Sequence, residues 1–276
     1  MKCLSIIAVV VAFFSALRFP VFSSGNVNFL FKDNEAHQLT EIKLTRRTRI
    51  GILDSLERFR STALTAEATF KDTDRRTDLD RWYVQLLSSL KEGIERAALS
   101  QHSKSPPSVV RFENYHRLYS VLSELKIECL SGQRKEAKAI YEENMQAYVK
   151  ESMGKPLEKI HSFFEAIEDA IDHGFKPEEI AFQQQFSRAE LKKVISMYPG
   201  KEVKKGLEQL YKKVEKHLIE DSPLVQVVWR HMQDEFLREL KHYDELIGQC
   251  YPNSRITLEV SIQDVLSYFS QFAQEH

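Results

Sequence analysis

The stretch Met197-Tyr-Pro-Gly-Lys-Glu-Val-Lys-Lys-Gly-Leu-Glu-Gln-Leu-Tyr-Lys-Lys-Val-Glu-Lys-His-Leu218 places six lysines behind a Pro-Gly break. At about 100° per residue, Val203, Leu207, Leu210, Val214 and Leu218 fall on one narrow face. Lys201, Lys205, Lys212 and Lys216 gather nearly opposite, with Glu208 and Glu215 between the two sides. That division of faces is an amphipathic helix. Burying the five aliphatic side chains contributes roughly 1.5–3 kcal/mol each before entropy, whereas an exposed pair such as Glu208 with Lys212 adds about 0.3–0.5 kcal/mol. The apolar face therefore sets the helix's position, and the lysines keep its back in water. The same four lysines are the candidate contact for an acidic partner or lipid, because a lysine near an anionic membrane surface adds about 1 kcal/mol. Interleaved glutamates weaken the local field, and the lysine side lacks aromatic platforms for stacking bases, which speaks against nucleic acid.

Outward from this stretch the rest of the chain reads the same way. Its 276 residues are 42% hydrophobic and 29% charged, with nine Gly and eight Pro, a balance that favours long helices around real cores. Thirty-nine basic side chains against 40 acidic ones leave a formal charge of -1, so any attraction to a polyanion must be local. The amino terminus differs. Lys2 precedes an apolar run from Leu4 to Leu17, followed by Ser23, Ser24 and Gly25, the pattern of a secretory signal peptide rather than a span of about 20 apolar residues. The body carries only Cys129 and Cys250 and no Asn-x-Ser/Thr acceptor. Two distant cysteines can pair or stay as buried thiols, and no spacing resembles a metal or redox motif.

The apolar spacing predicts successive helices. The first carries Ile50, Leu53, Leu56, Phe59 and Leu64, and the second carries Leu79, Trp82, Leu86, Leu90 and Ile94 up to the loop His102-Ser-Lys-Ser-Pro-Pro-Ser108. From Val109 to about Ser152 the pattern is a hairpin or one long rod, with a possible break at Ser131-Gly132. Pro156 suits the first turn of a helix through Ile160, Phe163, Phe164 and Ile167, and Pro177 opens another. Ser187-Arg-Ala-Glu190 and Ser261-Ile-Gln-Asp264 are start signals, and Ser222-Pro223 precedes a helix from Val225 to Ile247. Arg255-Ile-Thr-Leu-Glu-Val260 is too isolated to define a sheet and reads as an extended connector. The breaks suggest a leader at 1–24, a polar connector at 25–45, a first helical portion at 46–152 and a carboxy-terminal helical bundle at 153–276.

No phosphate-cradling loop, nucleophile elbow, zinc helix or calcium loop occurs. Glu-x-x-His occurs three times, as Glu113 with His116, Glu158 with His161, and Glu239 with His242. Paired copies of that spacing build di-metal sites in helical bundles, but such a site also needs bare carboxylates inside apolar stripes of two partner helices. Glu158 sits on a charged flank and Glu239 at the edge of its stripe, so boundary positions are the expected reading. No cofactor, metal or small-molecule substrate is expected.

Tyr198-Pro-Gly-Lys-Glu-Val-Lys-Lys-Gly-Leu207, followed by Leu210-Tyr-Lys-Lys-Val-Glu-Lys-His-Leu218, closely resembles the carboxy-terminal region of the exocyst complex component 1 (Sec-three) family. Gln226-Val-Val-Trp229, Met232-Gln-Asp-Glu-Phe236, Cys250-Tyr-Pro252 and Ile262-Gln-Asp264 follow in the same order. Arg75-Arg-Thr-Asp-Leu-Asp80, Phe112-Glu-Asn-Tyr-His116, Gln146-Ala-Tyr148, Pro156-Leu-Glu-Lys159 and Phe163-Phe-Glu165 continue the likeness upstream, from about Arg46.

The resemblance implies an all-α fold of stacked antiparallel helical bundles forming a rod, with no significant sheet. It implies a non-enzymatic role in the exocyst, the complex that tethers secretory vesicles at the plasma membrane during exocytosis. The partners would be other exocyst subunits, met through helix faces; the weak anionic membrane contact at the lysines comes from the residues alone and not from the resemblance. Location would be cytoplasmic and peripheral at the plasma membrane. Members of the family are much longer, with an amino-terminal phosphoinositide-binding domain and a coiled-coil region that these 276 residues do not match, so lipid recognition by that domain is not carried over. The leader is also foreign to a cytosolic family. A gene-model artefact joined to a true carboxy-terminal region accounts for it, and a working signal peptide, which would make the chain a secreted helical binding protein, is the alternative.

Overall fold

The computed structural model describes residues 53–70, 74–100, 105–153, 156–218 and 223–275; the leader at 1–24, the connector at 25–45, Ile50 and the Ser222 cap lie outside them. Among the described residues every regular element is helical and none is a strand, so the fold is all-α. The chain forms two compact units whose sequence boundary falls between Asn144 and Met145, inside a helix rather than at the Gly154–Pro156 break.

In the first unit, α1 (Leu53–Phe70), α2 (Arg76–Ala98) and α3 (Pro107–Leu125) each pack on the other two. The buried seam of α1 runs Leu53, Leu56, Phe59, Ala63, Ala66 and Phe70. Leu64, expected on that seam, is 46% exposed, because a four-residue step from Phe59 lands on Ala63. In α2 the fully buried aromatic is Tyr83, while Trp82 is half-buried. Helix α3 has little amphipathic pattern because two neighbours cover it. Val109, Val110, Phe112, Glu113, Asn114, Tyr115, Leu118, Val121 and Leu122 are all buried, and the Asn114 amide donates to the Val110 carbonyl at 2.7 Å instead of to water. Ion pairs fix the helix registers at the rim: the Arg60 fork on Glu124, Arg117 on Glu57, Arg111 on Glu95 at 2.9 Å and Arg76 on Glu67 at 2.7 Å.

After Leu125 the chain turns at Lys126, whose φ of 52° is left-handed, and passes through a 3-10 turn at Glu128–Leu130 into α4 (Ser131–Met153). The break therefore precedes Ser131-Gly132 instead of falling on it. Ile127 and Leu130 are buried and anchor the turn, whereas Gly132 faces open space in the first turn of α4, where it interrupts nothing. Cys129 and Cys250 are free thiols, and burial pushes Cys129 up to about 11.

The second unit contains α5 (Glu158–Asp172), α6 (Pro177–Ile180), a 3-10 turn at Gln184–Phe186, α7 (Arg188–Ile195), α8 (Gly200–His217), α9 (Leu224–Cys250) and α10 (Ile262–Glu275). Helix α5 starts two residues after Pro156, which sits in the preceding turn. The 27-residue α9 is central and contacts α6, α8 and α10. Trp229 is its hub: its ring meets Tyr211 at 4.9 Å, Phe269 at 4.4 Å and Phe272 at 6.5 Å, and its indole N–H donates to the Phe269 carbonyl at 2.9 Å. The cap expected at Ser261 is reciprocal: the Asp264 N–H donates to the Ser261 hydroxyl, and Asp264 accepts from the Ser261 N–H, both at 3.1 Å. The Ser261 hydroxyl also donates to the Asp264 carboxylate at 2.6 Å, and that bond, with the one from the Ser261 N–H, holds Asp264 below its ordinary carboxylate value. Ser187 accepts from the Glu190 N–H at 3.4 Å at the start of α7. Between α9 and α10, Ile256 and Val260 are buried along an extended connector.

Candidate functional site

Helix α8 begins after Pro199, whose β-region backbone (φ -62°, ψ 156°) precedes the first helical turn. Gly200 opens the helix in a tight place: a Cβ would stand 3.1 Å from the Tyr268 hydroxyl of α10, which would have to give by a few tenths of an ångström. Gly206 lies mid-helix, where glycine costs about 1 kcal/mol relative to alanine, yet its bare face lets α8 approach Pro156, at 3.4 Å from the site of a Cβ. Val203, Leu207, Leu210 and Val214 are buried with Tyr211 against α9 and α10, and Leu218 follows them. The hydrophobic face thus fixes which side of α8 meets solvent.

Lys201, Lys205, Lys212 and Lys216 are all exposed on that side. They span 16 residues, a row about 22 Å long at 1.5 Å per step. Lys212 pairs with Glu208 at 2.5 Å, while among the described residues Lys201, Lys205 and Lys216 make no ion pair. Lys204 leaves the row and reaches over the Tyr268 ring, 5.7 Å from its centroid. Its 100° spacing placed it off the row, but its aromatic partner, 64 residues away, is a tertiary fact without a local signal. The row carries charge and no chemistry beyond it.

The three Glu-x-x-His matches scatter over three helices. Glu113 is buried and His116 half-buried on α3, in the first unit. The other two, on α5 and α9, face each other as hydrogen-bonded pairs: His161 Nδ1 lies 2.9 Å from the Tyr243 hydroxyl, and His242 Nε2 lies 2.6 Å from Glu168. Burial pushes the Glu239 carboxyl above its ordinary value, with His161 pulling it partway back. Glu158 is exposed in the first turn of α5 and joins neither pair. Among the described residues, no group of three or more His, Cys, Asp or Glu side chains could hold a metal ion. An open depression of about 390 Å³ beside this seam is lined by Arg238, Glu239, Lys241, His242 and Glu245, all from α9. An interior gap among Leu157, Ile160, Val203 and Phe236 is about 10 Å³, at the lower limit for one water. Among the described residues, no helix is long and apolar enough to cross a membrane.

Comparison with known proteins decides among helical scaffolds of this kind. A family model described as Exocyst complex component Sec3, C-terminal, matches residues 29–253. The chain belongs to this family. Exocyst complex component 1 of Mus musculus is 46% identical over 243 residues, 88% of this chain and 27% of the mouse protein. The protein of the same name from Drosophila melanogaster is 46% identical over 246 residues, 89% of this chain and 27% of its own length. Exocyst complex component SEC3A of Arabidopsis thaliana is 26% identical over 230 residues, 82% of this chain and 25% of its own length. This member of the Sec3 C-terminal family therefore spans about a quarter of the length of the relatives it matches. No solved structure matches it.

Proposed function

We propose that the chain is a non-enzymatic piece of an exocyst subunit, acting in vesicle tethering at the plasma membrane through helix-face contacts with other subunits of the complex. Its place is cytoplasmic and peripheral to the membrane. The observation that carries this reading is 46% identity to Exocyst complex component 1 of two animals across nearly nine tenths of the chain. The physical reading agrees: amphipathic helices bury their apolar faces and leave charged outer faces, the material of protein contacts. No cofactor or small-molecule substrate enters this role.

The test is affinity capture of the full chain with the remaining exocyst subunits. Stoichiometric recovery is expected, and clean failure where a full-length relative succeeds overturns the reading. Within this role, Lys201, Lys205, Lys212 and Lys216 make a weak contact with an anionic partner or lipid surface, supported by their common exposure on α8. Reversing Lys201, Lys205 and Lys216 to glutamate should lower co-sedimentation with phosphatidylserine vesicles about tenfold or more and leave neutral vesicles unaffected. Equal binding by the variant removes the lysine row from the account.

A further inference from the structure

Two phenylalanines bracket α6, and both stand in water: Phe175 is 43% exposed and Phe182 is 87% exposed. The segment between them is held firmly. Gly174, at φ +99°, turns the chain out of α5, and the Phe175 N–H donates to the Ala170 carbonyl at 3.1 Å. Ile180 is fully buried, and α6 rests on α5 and α9. The Phe182 and Gln183 N–H groups close the turn on the Glu179 and Ile180 carbonyls at 3.2 and 3.0 Å. Beyond it Phe186 is buried, and the Tyr251 hydroxyl donates to its carbonyl at 2.7 Å. The exposed rings are therefore displayed from a fixed frame, which limits the ordering that docking would require.

The exposed residues that flank these rings along the chain are mostly acidic. Asp169 and Asp172 in the last turn of α5, and Glu178 and Glu179 on α6, are all exposed, and among the described residues none of the four makes an ion pair. Lys176 is the single Lys or Arg between Asp169 and Phe186. An apolar centre with a charged rim is the anatomy of a protein contact, in which a few aromatic anchors carry the binding. The seven-residue step from Phe175 to Phe182, four residues of it helical, spans at most about 19 Å, within the length of four turns of a docked helix.

The rim also selects the occupant. An anionic bilayer would be repelled, and the same patch on a second copy would set carboxylates against carboxylates. Helix α8 of a second copy would supply cations, but its apolar face is already buried. We propose that Phe175 and Phe182, framed by Asp169, Asp172, Glu178 and Glu179, dock a basic amphipathic helix of a partner protein. The partner lays apolar side chains at three- and four-residue spacing around the two rings and points flanking lysines or arginines at the rim.

The test uses the full chain and a labelled synthetic helix of alternating leucine and lysine faces, followed by fluorescence anisotropy, with a leucine–glutamate helix of the same length as control. The lysine peptide binds and the glutamate peptide does not. Phe175→Ser with Phe182→Ser weakens binding about tenfold or more with an unchanged circular dichroism spectrum. Glu178→Gln with Glu179→Gln weakens it less and flattens its salt dependence. No binding by the unmodified chain, equal binding of both peptides, or a double-serine variant within about twofold of the original overturns the proposal. So does a dimer, seen in sedimentation, that the double-serine variant abolishes, because the occupant is then a second copy. No exocyst subunit takes part in these measurements, so this result and that of the tether reading are separable.

Discussion

Trp229 joins α8, α9 and α10 through one side chain, packing by its ring and bonding by its single N–H. Trp229→Phe keeps most of the packing and leaves the Phe269 carbonyl without that donor. A drop of about 1–2 kcal/mol in urea unfolding is expected, with an unchanged slope. His116 makes a different residue-scale prediction. Its ring lies 5.0 Å from Tyr141, and burial lowers its pKa from the ordinary value. The unfolded chain takes up a proton near pH 6.5 while the folded chain still refuses it. The neutral imidazole's contribution is therefore complete above about pH 6.5 and is lost as pH falls toward the lowered folded value. His116→Phe should flatten stability as pH falls below about 6.5, and an unchanged acid slope in urea titrations would assign that slope to other groups.

At the scale of the element, helix α9 contains a removable weakness. Gly248 lies in its last turns, exposed, and nothing stands within 4 Å of where a Cβ would go. Gly248→Ala should stabilise the protein by about 0.5–1 kcal/mol, read as a raised melting temperature, because the unfolded chain loses freedom and the helix gains no clash. Gly200→Ala should stabilise less than Gly248→Ala, since its Cβ meets the Tyr268 hydroxyl at 3.1 Å and that ring must give by a few tenths of an ångström. The same elements explain what the sequence could reveal. Helices α8 and α9 were legible because one face is buried and the other wet, so hydrophobicity repeats with the helical period. That is also why the sides taken by Lys201, Lys205, Lys212 and Lys216 were readable in advance. Helix α3, covered by two neighbours, has no such repeat, and its end at Lys126 depends on a left-handed residue with no glycine to announce it. The Phe175 and Phe182 pair was illegible for a related reason. Helix α6 is four residues long, too short for any period, and only the packing of Ile180 and Phe186 decides which rings remain outside.

At the scale of the whole molecule, charge and hydrophobic burial are distributed differently. The formal charge of -1 hides a local contrast within the second unit: α8 presents its lysine row, while α5 and α6 present Asp169, Asp172, Glu178 and Glu179. Surface charges of this kind set encounter rates and partner choice more than stability. Stability rests instead on two hydrophobic cores, one in each compact unit. Phe59 is fully buried in the first, 6.4 Å from Tyr83, and Phe236 is fully buried in the second, 5.9 Å from Phe269. Truncating either ring to alanine should cost about 3–5 kcal/mol, because a cavity is added to the lost transfer energy. The loss should stay within its own unit. Native-state hydrogen exchange of Phe236→Ala should show reduced protection across α8, α9 and α10 with α1, α2 and α3 unchanged, and Phe59→Ala should show the converse. A uniform fall in protection across all six helices in either variant would mean that the two cores unfold as one cooperative block, with α4 transmitting the damage from the unit that was cut to the one that was not.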